Sequence, residues 1–306
     1  MAVAEINLDT LKDSDVESPW VIVGRRFVRH KLALVGLTIV AIFILLAIFA
    51  GLLAPYDPLK QNLGPAWANP SAEHLLGLDA LGRDVFSRLL YAARISLTVT
   101  IVVNLITEVV GTVLGAVSGY FGGWVDSLIQ RIVDIILALP TLPLLLFFSA
   151  ILREIEVPGL PKEWSSAFII IVILSSLGWT GATRLVRAQV LSLREQDFAQ
   201  ASRALGVGNW DIIRRHMIPN SLAPIIVNAT LGLGGVIVLE AALSFLGFGI
   251  QPPIPTWGNM LQGVQERLFL NPWLAFYPGL CIFLVTLSFN YIGDALRDAL
   301  DPRLKH

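Results

Sequence analysis

Six predominantly apolar stretches, residues 32–54, 95–119, 131–152, 166–186, 222–247 and 273–293, dominate this chain, and each is at least as long as the roughly 20 residues an α-helix needs to cross a hydrocarbon core. Lipid offers the backbone no hydrogen-bond partner, so a crossing segment is either a helix or part of a closed barrel. Barrel strands read as ~10-residue alternating segments, which is not this pattern. The expectation is an all-α integral membrane protein with six transmembrane helices. The first stretch follows a long polar segment, and its apolar core outruns the ~7–15 residues of a cleavable leader, so it is expected to stay as an anchor.

Only 15% of the residues are charged, against about 25% in soluble domains, and 55% are hydrophobic. A net charge of −1 and the lack of a lysine-rich tail leave nothing to attract nucleic acid. With both termini placed in the cytoplasm, fifteen lysines and arginines, Lys12 and Arg303 among them, fall on inside segments and seven on outside loops. That bias supports the orientation. The chain then divides into a cytoplasmic segment 1–31, a first transmembrane helix 32–54, an external loop 55–94, a five-helix core 95–293 and a cytoplasmic tail 294–306. Within the first segment, Trp20 to Lys31 (WVIVGRRFVRHK) reads as a basic amphipathic helix suited to anionic headgroups, making membrane lipid a partner.

Several chemistries are excluded. The single cysteine, Cys281, sits in an apolar run and permits neither an intrachain disulfide nor a multi-cysteine metal site. The histidines His30, His74, His216 and His306 are scattered with no i, i+4 pair, so no metal site is expected. A phosphate-cradling loop needs a lysine after glycine, and none of the five lysines follows one. The chain is therefore not expected to be an enzyme or to bind nucleotide, and any energy must arrive through a partner.

The core's cytoplasmic loop 194–220 is too polar for lipid. Within it, DFAQASRALGVGNWDIIRRHMIPN (Asp197 to Asn220) predicts a helix over Ala199–Leu205, whose small residues Ala199, Ala201, Ser202 and Ala204 allow another backbone to approach closely. Phe198 and Leu205 are expected to supply apolar contact. Gly206 ends that helix in the left-handed conformation, Asn209 and Asp211 stand where a second helix takes its cap and first-turn carboxylate, and Pro219 is expected to close it. The result is a helical elbow hung below the membrane.

That loop resembles the Glu-Ala-Ala coupling motif of binding-protein-dependent ABC importer permeases, with Gln200, Ala201 and Ser202 at the triplet, Gly206 at the glycine, and His216, Ile218 and Pro219 at its end. Gln200 replaces the acid and so removes one possible ion pair to a partner. Gly77 to Arg94 (GLDALGRDVFSRLLYAAR), Phe245 to Leu261 (FLGFGIQPPIPTWGNML) and Asn290 to His306 are similar to segments of the C-type permease of dipeptide and oligopeptide importers. The resemblance implies a six-transmembrane type I (MetI-like) bundle in a bacterial or archaeal cytoplasmic membrane. It also implies a homologous second permease, two ATPase subunits that hold ATP and Mg, and an extracytoplasmic substrate-binding protein. Related permeases serve peptides, nickel chelates, glutathione or oligosaccharides. The rival from another class, a secondary transporter, would need internal repeats and midplane ion-coupling carboxylates.

Charged side chains within the spans are costly and call for a reason. Asn104 and Glu108 lie four apart, followed by Gly111 and Gly115, a small polar stripe that must face protein or water. Glu240 and Ser244 follow Gly232, Gly234 and Gly235. Each acid either lines a translocation path or hydrogen-bonds a neighbouring helix as a packing device. Trp179, between Gly178 and Gly181, is a path or packing residue on the same terms. Pro140 and Pro143 are expected to kink the third stretch, as a gating hinge or a static bend. Arg83, Asp84 and Arg88 either meet an external partner or cap the next helix.

Overall fold

The computed structural model describes residues 18–301; the expected positions Lys12, Arg303 and Lys305 and the ends of both terminal segments lie outside them. The described chain is helical: α1 Pro19–Arg29, α2 Lys31–Ile48, α3 Ala50–Leu53, α4 Val85–Phe121, α5 Gly123–Ala138, α6 Thr141–Leu152, α7 Lys162–Leu193, α8 Asp197–Ala204, α9 Asn209–Ile212, a π turn Ile213–Met217, α10 Ile218–Asn220, α11 Leu222–Phe245, α12 Trp257–Gln262 and α13 Trp273–Leu300. Five helices are long and apolar enough to cross a membrane by themselves, α2, α4, α7, α11 and α13.

The third expected span is different. It is two helices, α5 and α6, meeting at an 89° bend. Leu139, with ψ of 140°, leaves helical geometry because the ring of Pro140 crowds the residue before it. Pro140 becomes the N-cap of α6 and Pro143 falls in its first turn, where a missing N–H costs no bond. The interruption thus belongs to Pro140 alone, and it is a break rather than a kink.

The bundle is assembled around α4 and α7, its most extensive helix pair. Gly111, Gly115 and Gly119 repeat every four residues along one face of α4, and α7's backbone lies on them. A Cβ at Gly115 would sit 2.6 Å from the Thr183 carbonyl, and one at Gly119 would sit 2.9 Å from that of Arg187. Close backbone approach of this kind replaces the hydrophobic drive that lipid cannot supply. α11 and α13 pack beside this pair, α2 lies on α13 with Gly36 against the Ser288 backbone, and α1 follows α13, where Arg26 Nη1 donates to the Asp301 carbonyl at 3.2 Å.

α4 begins at Val85, earlier than the apolar pattern suggests, because Asp84 caps it. The Asp84 carboxylate accepts from the Ser87 N–H at 2.8 Å and Ser87 Oγ at 2.7 Å and meets His74 Nδ1 at 3.0 Å, all buried. Arg83 and Arg88 both approach Asp79, at 2.7 and 3.5 Å, so the cluster closes the loop onto the helix start. Asp84→Ala is expected to cost about 2–4 kcal/mol, the sum of a lost cap and stranded buried partners, read as a lower thermal midpoint in detergent.

Candidate functional site

The elbow is built on one end of the bundle. α8 ends in a Schellman arrangement: the Gly206 N–H donates to the Arg203 carbonyl and the Val207 N–H to that of Ser202, with Gly206 at φ +75°. Only glycine adopts that conformation without cost from a Cβ. Ala199, Ile212, Ile213 and Met217 are buried against Ala116 and Tyr120 of α4 and Val186 and Val190 of α7. The inner face of the elbow is therefore part of the core of the α4–α7 pair. The outer face is open: Gln200, Ala201, Ala204, Leu205 and Gly206 are exposed, Leu205 by 83%.

Three expectations change here. Phe198 packs half-buried on the inner cluster, leaving Leu205 as the apolar group of the outer face; Ala199 likewise points inward. Asn209 is the first residue of α9 rather than its cap, and its Oδ1 accepts from Tyr120 Oη at 3.0 Å. Pro219 does not close the second helix. The wider π turn over Ile213–Met217 precedes it, and the carbonyl four residues back, which a proline ring would strike in a regular helix, lies in that turn. Regular helix resumes in α10, which holds Pro219 in its first turn, and continues after Ser221 as α11.

A tie between segments 61 residues apart had no sequence signal. Arg187 Nε and Nη2 hold both oxygens of Asp126 at 2.5 and 2.6 Å, and Ser118 Oγ donates to the same carboxylate, so the start of α5 is clamped to α4 and α7 beside the elbow. Arg184 and Asp134 form a second, more exposed pair. Arg194 Nη1 donates to the Gly119 carbonyl at 3.2 Å, joining the elbow's start to the end of α4.

The polar groups within the spans divide. Asn104 Nδ2 donates to the Ala229 carbonyl at 2.9 Å and Asn228 Nδ2 to Glu108 Oε1 at 2.5 Å, so the stripe on α4 faces α11 while Gly111 and Gly115 face α7. Glu240 is fully buried. Its Oε1 accepts from Ser244 Oγ at 2.8 Å, and that hydroxyl in turn accepts from the Ile250 N–H at 3.2 Å. Through Ser244, Glu240 ties α11 to the segment that follows it. Glu240→Ala is expected to leave a buried cavity costing about 2–4 kcal/mol, lowering membrane abundance several-fold while uptake per remaining molecule holds. Trp179 is half-buried, and its Nε1 is used within its own helix, on the Ser176 carbonyl at 2.8 Å. Among the described residues no group of histidine, cysteine or acidic side chains is placed to hold a metal ion.

Residues 111–306 match the family model for the binding-protein-dependent transport system inner membrane component, and residues 18–70 match that for the N-terminal transmembrane domain of oligopeptide transport permease C. The chain is 46% identical over 288 residues to the dipeptide transport system permease protein DppC of Alkalihalophilus pseudofirmus, covering 94% of this chain and 91% of that one. It is 38% identical over 299 residues to the glutathione transport system permease protein GsiD of Pectobacterium atrosepticum, covering 97% and 96%. Against the GsiD of Shigella flexneri the identity is 40%, with 96% and 94% covered. Apolar spans, an elbow packed on the α4–α7 pair and matches along nearly the whole length lead to one assignment: the chain is a multi-pass membrane permease of the binding-protein-dependent transport system inner membrane component family.

Proposed function

We propose that the chain is the membrane-spanning subunit of an ABC importer that carries dipeptides or oligopeptides across the cytoplasmic membrane. Both termini lie in the cytoplasm, and a homologous second permease, two ATPase subunits and an extracytoplasmic binding protein complete the complex. The observation that carries this reading is the two-sided elbow. Its outer face, Gln200 to Gly206, presents small side chains and Leu205 to a partner, while its inner face shares one core with α4 and α7. A displacement imposed from outside passes into the bundle as rigid-body motion, because a packed core switches between discrete arrangements rather than deforming. The partner subunits bind ATP and Mg, since no lysine here follows a glycine in the manner of a phosphate loop.

The dipeptide relative favours short peptides as substrate, and the glutathione relatives make a tripeptide of that kind the second reading. Uptake into proteoliposomes tests both. The complete complex is expected to accumulate labelled dipeptide only with ATP and binding protein. Uphill uptake by this chain alone on an ion gradient would instead make it a secondary transporter.

A further inference from the structure

At the end of the bundle away from the elbow, a cavity of about 490 Å³ opens between the α6–α7 connection and the segment after α11. Its size falls within the range of small-molecule sites, ~300–1,000 Å³. Arg153, Glu154 and Glu156 line it from the connection, Ser166 from the opening turns of α7, and Gln251 and Pro253 from the far side. We infer that this cavity is a receiving site for short zwitterionic peptides, with Arg153 taking the carboxylate and Glu154 the ammonium group. The inference rests on the peptide reading above and deepens it.

The wall is braced for that role. Gln251 Nε2 donates to the Gly247 and Gly249 carbonyls at 3.1 and 2.8 Å, and the Gln251 N–H donates to Ser166 Oγ at 3.2 Å, which fixes this segment to α7. Arg153 Nη2 makes one bond, to Gln251 Oε1 at 3.3 Å, so the fork is oriented and most of its donors stay available to a carboxylate. α7 is 32 residues long and begins without a side-chain cap, so the positive end of its dipole adjoins the same wall and favours an anion there. Both signs of charge in one cavity suit a zwitterion. The cavity also lies at the ends of α6, α7 and α11 opposite the elbow, which in the orientation proposed above is the external side.

The test uses the complete complex in proteoliposomes with saturating binding protein and labelled alanyl-alanine, reading peptide imported per ATP hydrolysed. Arg153→Gln is expected to lower that ratio by about ten-fold or more, the effect of one lost charge-assisted hydrogen bond, and Arg153→Lys to restore part of it. Glu154→Gln is expected to lower it as well, while the binding-protein concentration giving half-maximal ATPase stimulation stays unchanged in each variant. An unchanged ratio in both glutamine variants overturns the inference. So does a shift confined to the half-maximal concentration, which would make the cavity a docking surface for the binding protein. A wild-type complex that imports another solute but no peptide overturns the peptide reading and this site together, whereas normal peptide import by wild type and variants alike overturns the site alone.

Discussion

Gly206→Val is expected to abolish ATP-driven uptake, by at least about ten-fold, while the chain still inserts and reaches normal membrane abundance. The position holds φ at +75°, where an L-residue pays about 1–2 kcal/mol and a β-branched one more. Apart from its own chain neighbours, nothing lies within 4 Å of where a Cβ would stand, so a Cβ at this position meets no other part of the chain. Its whole effect falls on the conformation of the α8 end. Relaxing that strain breaks the bonds from Gly206 and Val207 to the carbonyls of Arg203 and Ser202 and redirects Leu205, the exposed apolar group of the outer face. Gly206→Asn is the control, since asparagine tolerates the left-handed region, and it is expected to keep most of the uptake. Transport by the valine variant at the wild-type rate would refute the coupling role of the elbow.

Gly115→Leu is expected to act on the opposite quantity, removing the protein from the membrane rather than uncoupling it. Even a Cβ at this position would lie 2.6 Å from the Thr183 carbonyl and 2.8 Å from Val186 Cβ, and a backbone carbonyl in mid-helix cannot step aside. α4 and α7 must separate, with loss of the packing that holds the elbow's inner face. Overpacking of this kind costs about 1–3 kcal/mol in well-packed cores and more where backbone is the obstacle. Abundance is expected to fall by about ten-fold, read on immunoblots of membranes. Gly181→Ala supplies the contrast: its Cβ meets nothing within 4 Å, so abundance is expected to stay at the wild-type level. Equal abundance of both variants would show that the α4–α7 contact tolerates an opening the geometry forbids.

Much of the fold was legible because lipid removes alternatives. Five of the six apolar stretches became long helices, and the stripe of Asn104, Glu108, Gly111 and Gly115 did turn toward protein. Gly206 was legible too, since a glycine after a run of helix formers has one backbone use. The third stretch was not, because a proline announces a break in hydrogen bonding but not the angle at which the two pieces leave it. Pro219 misled for a related reason: the π turn that accommodates it depends on Ile213 and Met217 being buried against α4 and α7.

Composition and the spacing of apolar residues by themselves determined a helical membrane protein with a polar elbow between two of its apolar stretches, because hydrocarbon leaves the backbone only a helix or a closed barrel, and the apolar runs are too long for barrel strands. Which faces meet was decided only by the tertiary structure. Helical period tells that Phe198, Leu205, Glu108 and Glu240 each occupy a face, yet lipid, a neighbouring helix and a partner protein accept similar side chains. Contacts between residues distant along the chain settled the matter: Asp126 with Arg187, Asn228 with Glu108, and Glu240 closed in by its own chain.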